Sequence, residues 1–133
     1  MFLKWLLALV LIAHGIGHIT GVSAFWTTLP MGFNQNPWIF GAGGTISSLV
    51  GRIFGVIWLA ATVIFIAAGV GLLTNQAWWT NAAIIGAVVS LVAIVPWWNT
   101  VTLGVKMGAL LDVAILAGLL PPLKVWVFQV FKL

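Results

Sequence analysis

His14 and His18 stand one helical turn apart inside a long apolar stretch, Met1 to Trp26, and the single acidic residue of the chain is Asp112. Ionisable groups are costly in hydrocarbon, so where they occur they face a bundle interior or a cavity and serve a partner. Imidazole and carboxylate together offer several chemistries. The set His14, His18 and Asp112 could hold a divalent metal, iron or zinc, because both ligand types suit those ions. One histidine could ligate a haem or chlorin axially, with Gly15, Gly17 and Gly21 leaving room for a flat macrocycle; no second helix offers a histidine for a cross-helix pair. The same groups could act as acid and base, or simply join helices through hydrogen bonds of about 0.6 kcal/mol each. Peptidase chemistry has no support, since Gly15 occupies the position that carries glutamate in the zinc-peptidase helix motif.

These residues must be positioned by membrane-spanning helices. Of 133 residues, 63% are hydrophobic and 5% charged, and the mean hydropathy is +1.24. Such a composition excludes a water-soluble domain and makes lipid the solvent. Nine tryptophans suit the boundary between headgroups and acyl chains. Cysteine is absent, which rules out disulfides, thiolate metal sites and cysteine nucleophiles. The net charge of +4 comes from Lys4, Arg52, Lys106, Lys124 and Lys132, scattered singly, so no nucleic-acid-binding patch exists. The expected partners are the lipid bilayer and a larger membrane complex or further copies of the chain.

The expected fold is all-α: a polytopic membrane protein, one transmembrane domain over residues 1–133, built as a four-helix bundle with a short C-terminal interfacial helix. The first helix covers about 2–26; Lys4 followed by Leu6–Ile12 has the look of a signal peptide, but the apolar run continues past Ala13 without a convincing cleavage site. Thr27–Gly44, with Pro30, Asn34, Asn36, Pro37, Gly41, Gly43 and Gly44, is loop chemistry, and its aromatics Trp38 and Phe40, with Trp26, belong at the membrane surface. Further helices follow over about 46–73, 81–98 and 102–120, the last stopped by Pro121-Pro122. The tail 123–133 is too short to cross and places Lys124, Gln129 and Lys132 within one arc, as in a helix lying on the membrane. Four crossings place both termini on one side, and the positive-inside rule assigns Lys4, Lys124 and Lys132 to the cytoplasm against Arg52 and Lys106 outside.

On a helical wheel His14 shares a stripe with Gly17, His18 and Gly21, so this face should look into the bundle. Gly51 and Gly55 beside Arg52, and Gly104 and Gly108 beside Lys106 and Asp112, are the corresponding packing positions of the second and fourth helices. Their similarity suits either a duplicated hairpin or two independent close contacts. At a rise of about 1.5 Å per residue, His14 and Asp112 fall near mid-membrane, and His18, Arg52 and Lys106 within about 12 Å of it on the outer side. The expected polar cluster is therefore His14, His18, Asp112, Arg52 and Lys106, centred on a His–Asp pair between the first and fourth helices.

The run His14-Gly15-Ile16-Gly17-His18-Ile19-Thr20-Gly21 resembles the HGxxHxxG pattern of small four-helix bacterial membrane proteins of unassigned role, and Pro96-Trp97 and Gly108–Asp112 resemble their later helices. Those proteins usually carry Asn where this chain has Asp112, so the resemblance implies no shared role for that residue. In size and layout the chain is also similar to DoxX-like proteins. The resemblance implies a four-helix membrane fold and supplies no reaction.

Two functions compete on this reading. The leading one is a non-enzymatic accessory or assembly subunit, or a bundle that binds a lipophilic ligand. The other is a membrane enzyme, an isomerase or redox protein, acting on a lipophilic substrate through His14, His18 and Asp112. Ion or proton transport stands third, because the inner half of the helices offers little beyond Thr62 and Ser90.

Overall fold

The computed structural model describes residues 2–29, 31–35, 37–40, 43–131 and 133. Among these the chain is all helical, in six α-helices: α1 (Phe2–Gly17), α2 (Ile19–Trp26), α3 (Leu49–Leu73), α4 (Trp79–Ile94), α5 (Leu103–Leu119) and α6 (Lys124–Phe131). A 3₁₀ turn, Val95–Trp97, extends α4. Three segments are long and apolar enough to cross a membrane: Phe2–Trp26, Leu49–Leu73 and Trp79–Trp97. A fourth crossing requires α5, 17 residues long, either alone or with α6, from which it is bent by 95°. Seventeen residues rise about 26 Å, a little short of the roughly 30 Å hydrocarbon core.

The first segment is not one continuous helix. At His18 the backbone amide donates to Gly15 O, three residues back, at 3.1 Å instead of to His14 O. The His14 carbonyl is satisfied by the His18 side chain itself, whose Nδ1 donates to it at 2.8 Å. Gly15 and Gly17 lie just before the break and weaken helical preference there. Elsewhere the boundaries follow capping chemistry. Ser48 is extended and its hydroxyl accepts from Gly51 N, so α3 starts at Leu49 and residues 46–48, expected to be helical, form the turn before it. Asn75, at φ 57°, lets the chain leave α3 in the left-handed conformation, with Gln76 N bonding back to Gly71 O. Leu120 is extended ahead of Pro121, which ends α5.

α3 is the central helix, packing along α1, α2 and α4, while α5 packs on α4. The core falls into two apolar clusters. One contains Ala8, Leu11, Phe65, Leu72, Trp79, Ala87 and Ile115; the other contains Phe25, Phe33, Trp58, Ile94, Trp97 and Ala109. The loop before α3 contributes to the second cluster. Phe33 is buried against Phe25 and Trp58, Asn34 N donates to Thr100 O, and Trp38 donates from its backbone to Asn99 Oδ1 and from its indole to Val95 O. The loop thus closes one end of the bundle, with Trp38 still exposed. Pro30, Asn36, Gly41 and Lys132, which entered the loop and charge readings, lie outside the described residues.

At the other end α6 turns back onto the bundle. Phe128 stacks on Trp79 with ring centroids 6.0 Å apart, and Lys124 Nζ sits 5.6 Å from the Phe128 ring centre. Val125, Trp126 and Val130 are exposed.

Candidate functional site

On α1–α2, α4 and α5 a polar residue falls between the two apolar clusters, and there the polar side chains meet. His14 Nε2 lies 2.7 Å from Asp112 Oδ1 across α1 and α5. The other carboxylate oxygen, Oδ2, is 2.5 Å from Ser90 Oγ on α4, and Ser90 Oγ is 2.7 Å from His18 Nε2. His18 Nδ1 returns to the His14 carbonyl, which closes the network on backbone. Asp112, Ser90 and His18 are buried, and the His14 side chain is nearly so, with 8% exposed. Aromatic rings fix both imidazoles: Phe65 meets His14 edge-on at 4.6 Å, Trp58 lies 5.3 Å from His18, and the two imidazoles are themselves perpendicular at 4.7 Å.

The network differs from the expected cluster in membership. Ser90 joins it at the level of His18, whereas its place in the sequence had suggested only an isolated hydroxyl in the inner half. Arg52 and Lys106 take no part. Arg52 is exposed, with its carbonyl accepting from the Trp26 indole, and Lys106 Nζ sits 5.5 Å from the Trp98 ring centre. Both sit near the start of their helices, where a long side chain reaches the surface more readily than a buried carboxylate.

The glycines divide the same way. A Cβ on Gly21 would lie 2.1 Å from the Trp58 ring, and one on Gly15 2.9 Å from Thr62 O, so both make room for α3. Gly55 admits the Trp26 ring, and Gly51 admits the turn at Thr45 and Ile46. Gly108 faces the His14 ring, 3.3 Å from Cε1. Gly17 and Gly104 depart from the packing role expected of them: a Cβ on Gly17 would meet nothing within 4 Å, and one on Gly104 only its neighbour Thr102. Both line a cavity of about 320 Å³ with His14, His18, Trp58 and Thr102. Exposed Ala13, Gly17 and Gly104 mark its opening between the first segment and α5. Trp58 is fully buried, and its indole Nε1 has no partner among the described residues.

The candidate cofactors meet this geometry differently from the sequence expectation. Ligand atoms of His14, His18 and Asp112 all lie within 4.8 Å of one another. Tetrahedral ligands about 2.1 Å from an ion stand roughly 3.4 Å apart. His14 and Asp112 are closer than that, and Ser90 bonds both His18 Nε2 and Asp112 Oδ2, so these groups hold one another and a metal would have to displace Ser90 and part the His14–Asp112 pair. The space that Gly15 and Gly21 were to leave for a macrocycle is filled by α3, so only the Gly17 side remains open. What the arrangement can do is present one imidazole, braced by a buried carboxylate, to a molecule entering the cavity between the first segment and α5. No family model, curated protein or solved structure matches the chain, so the likeness of the His14–Gly21 run assigns it neither family nor function.

Proposed function

We propose that this chain is a multi-pass membrane protein that binds a small lipophilic molecule between its first segment and α5, with the polar end of the ligand against His14. The cavity carries the proposal. Its volume, about 320 Å³, lies within the roughly 300–1,000 Å³ of small-ligand sites, and its wall is mostly apolar with a few convergent polar groups. A purely structural polar layer has no use for an open space beside its two imidazoles. The ligand-binding reading is accordingly favoured over a role as an assembly subunit.

The direct test is to purify the chain from its own membrane in mild detergent and identify retained small molecules by mass spectrometry, with elemental analysis and an absorption spectrum alongside. Wild type should retain a lipophile in stoichiometric amount, and Gly17→Phe, which fills the cavity, should lose it. Equal, substoichiometric lipid in both proteins would sink the proposal.

An enzymatic reading is favoured by one observation, the 2.7 Å contact between His14 and Asp112 at the cavity wall, since a carboxylate-braced histidine is a common general base. Unchanged turnover of a candidate lipophile by both His14→Ala and Asp112→Asn would remove it. Conductance finds less support, because the chain of hydrogen bonds ends on the His14 carbonyl.

The topology proposed with this function places Lys4 and Lys124 on the cytoplasmic side and Arg52 and Lys106 near the other face. With no native cysteine, single cysteines at Ser47 and Gln129 should label from opposite sides of sealed vesicles. Labelling from the same side would reverse this reading.

A further inference from the structure

Resting on the cavity reading, we infer that the ligand is a lipophile bearing a hydroxyl hydrogen, such as a hydrophobic phenol, and that His14 Nδ1 is the acceptor that selects it. The inference comes from counting hydrogens in the network. His18 Nδ1 faces a carbonyl and must carry hydrogen. Between His18 Nε2, Ser90 Oγ and Asp112 Oδ2 there are two short contacts, and the serine hydroxyl supplies only one of the two hydrogens they need.

Two placements satisfy every contact without net charge. In one, Asp112 is ionised, Ser90 donates to it, and a doubly protonated His18 donates to Ser90. In the other, Asp112 carries the hydrogen on Oδ2 and donates to Ser90, which donates to a neutral His18. In both, Asp112 Oδ1 has no hydrogen of its own, so His14 must donate from Nε2. A neutral His14 that donates from Nε2 leaves Nδ1 bare. Each arrangement with hydrogen on His14 Nδ1 gives the layer a net positive charge between two apolar clusters, which the environment disfavours.

Nδ1 has no hydrogen-bond partner among the described residues, and His14, its side chain 8% exposed, is part of the cavity wall. A bare nitrogen there accepts a hydrogen bond and cannot donate one. An ether or ester of the same shape would leave it unpaired, whereas a hydroxyl satisfies it. A site built around one polar partner discriminates against the analogue that lacks it.

The experiment uses the full chain in lipid nanodiscs with para-hexylphenol and its methyl ether as probes. Nitrogen NMR of histidine-labelled protein should show His14 protonated at Nε2 and not at Nδ1, and the phenol should bind roughly tenfold more tightly than the ether, the value of one hydrogen bond. Asp112→Asn should keep this preference, because an amide can accept from His14 and donate to Ser90 in the pattern of the protonated acid. Asp112→Ala should erase it. Hydrogen on His14 Nδ1 in the wild type would overturn the inference whatever the variants do. Equal, saturable binding of phenol and ether that Gly17→Phe abolishes would overturn it too, while leaving the cavity reading in place. Binding of neither probe would remove both.

Discussion

The first membrane segment has two seams, and they are built differently. Toward α3 its glycines are used for contact: Gly21 lies on the Trp58 ring and Gly15 on the α3 backbone, where a methyl group has no space. Toward α5 the contact is sparser, though Ile115 and Leu119 share an apolar cluster with Ala8 and Leu11. Gly17 borders open volume, and the polar link there is His14 with Asp112. In a bilayer, helices associate through close packing and through hydrogen bonds between polar side chains. The α3 seam uses the first and the α5 seam relies more on the second, which leaves the cavity where packing is sparse.

The comparison can be broken at either seam, and the largest effect belongs to the packed one. Gly21→Ala should destabilise the protein by about 3 kcal/mol, because the Trp58 ring it would strike is wholly buried and cannot move aside. Thermal unfolding in detergent measures this, and a loss below about 1 kcal/mol would mean that the seam tolerates overpacking. At the polar seam, Asp112→Ala should cost about 2 kcal/mol, since it strands His14 Nε2 and Ser90 Oγ together. Asp112→Asn should recover most of that loss. Equal losses in the two variants would indicate that the carboxylate charge, and not its hydrogen bonding, holds α5.

Smaller effects sharpen the same contrast. Ser90→Ala removes the link between His18 and Asp112 and should cost about 1 kcal/mol. Gly17→Ala, two residues beyond Gly15 on the same segment, should be neutral or stabilising by about 0.5 kcal/mol, because the methyl group meets nothing and alanine favours the helix. A clear destabilisation by Gly17→Ala would mean that the α5 seam closes in solution.

Some of this was legible in the residues and some was not. The stripe carrying His14, Gly17, His18 and Gly21 could be drawn on a wheel, but a wheel treats the helix as unbroken and every small residue on it as equivalent. The turn at His18 and the angular spread of the stripe assign Gly21 to α3 and Gly17 to the cavity. Arg52 and Lys106 satisfied the same depth criterion as His18, yet each has a long flexible side chain and reaches the surface. Ser90 carried no signal, since one serine in a membrane helix most often bonds its own backbone. Its hydroxyl becomes informative only when His18 and Asp112 flank it.

By itself the sequence determined the class: apolar runs of spanning length, few charges and breaks at Thr74–Gln76 and Pro121–Pro122 specify a set of helices compatible with lipid, in which each backbone polar group is satisfied within its own helix. It also marked His14, His18 and Asp112 as exceptions to that apolarity. Face and depth pointed to a His–Asp pair between the first and fourth helices; only the tertiary structure decided that Arg52 and Lys106 stay outside it, that Ser90 joins it, and that one seam is filled while the other stays open. The reason is physical. Periodicity fixes the direction in which a side chain leaves its own helix, whereas an interhelical hydrogen bond of 2.5–2.7 Å or a cavity wall depends on the separation and register of a second helix, which no local pattern encodes.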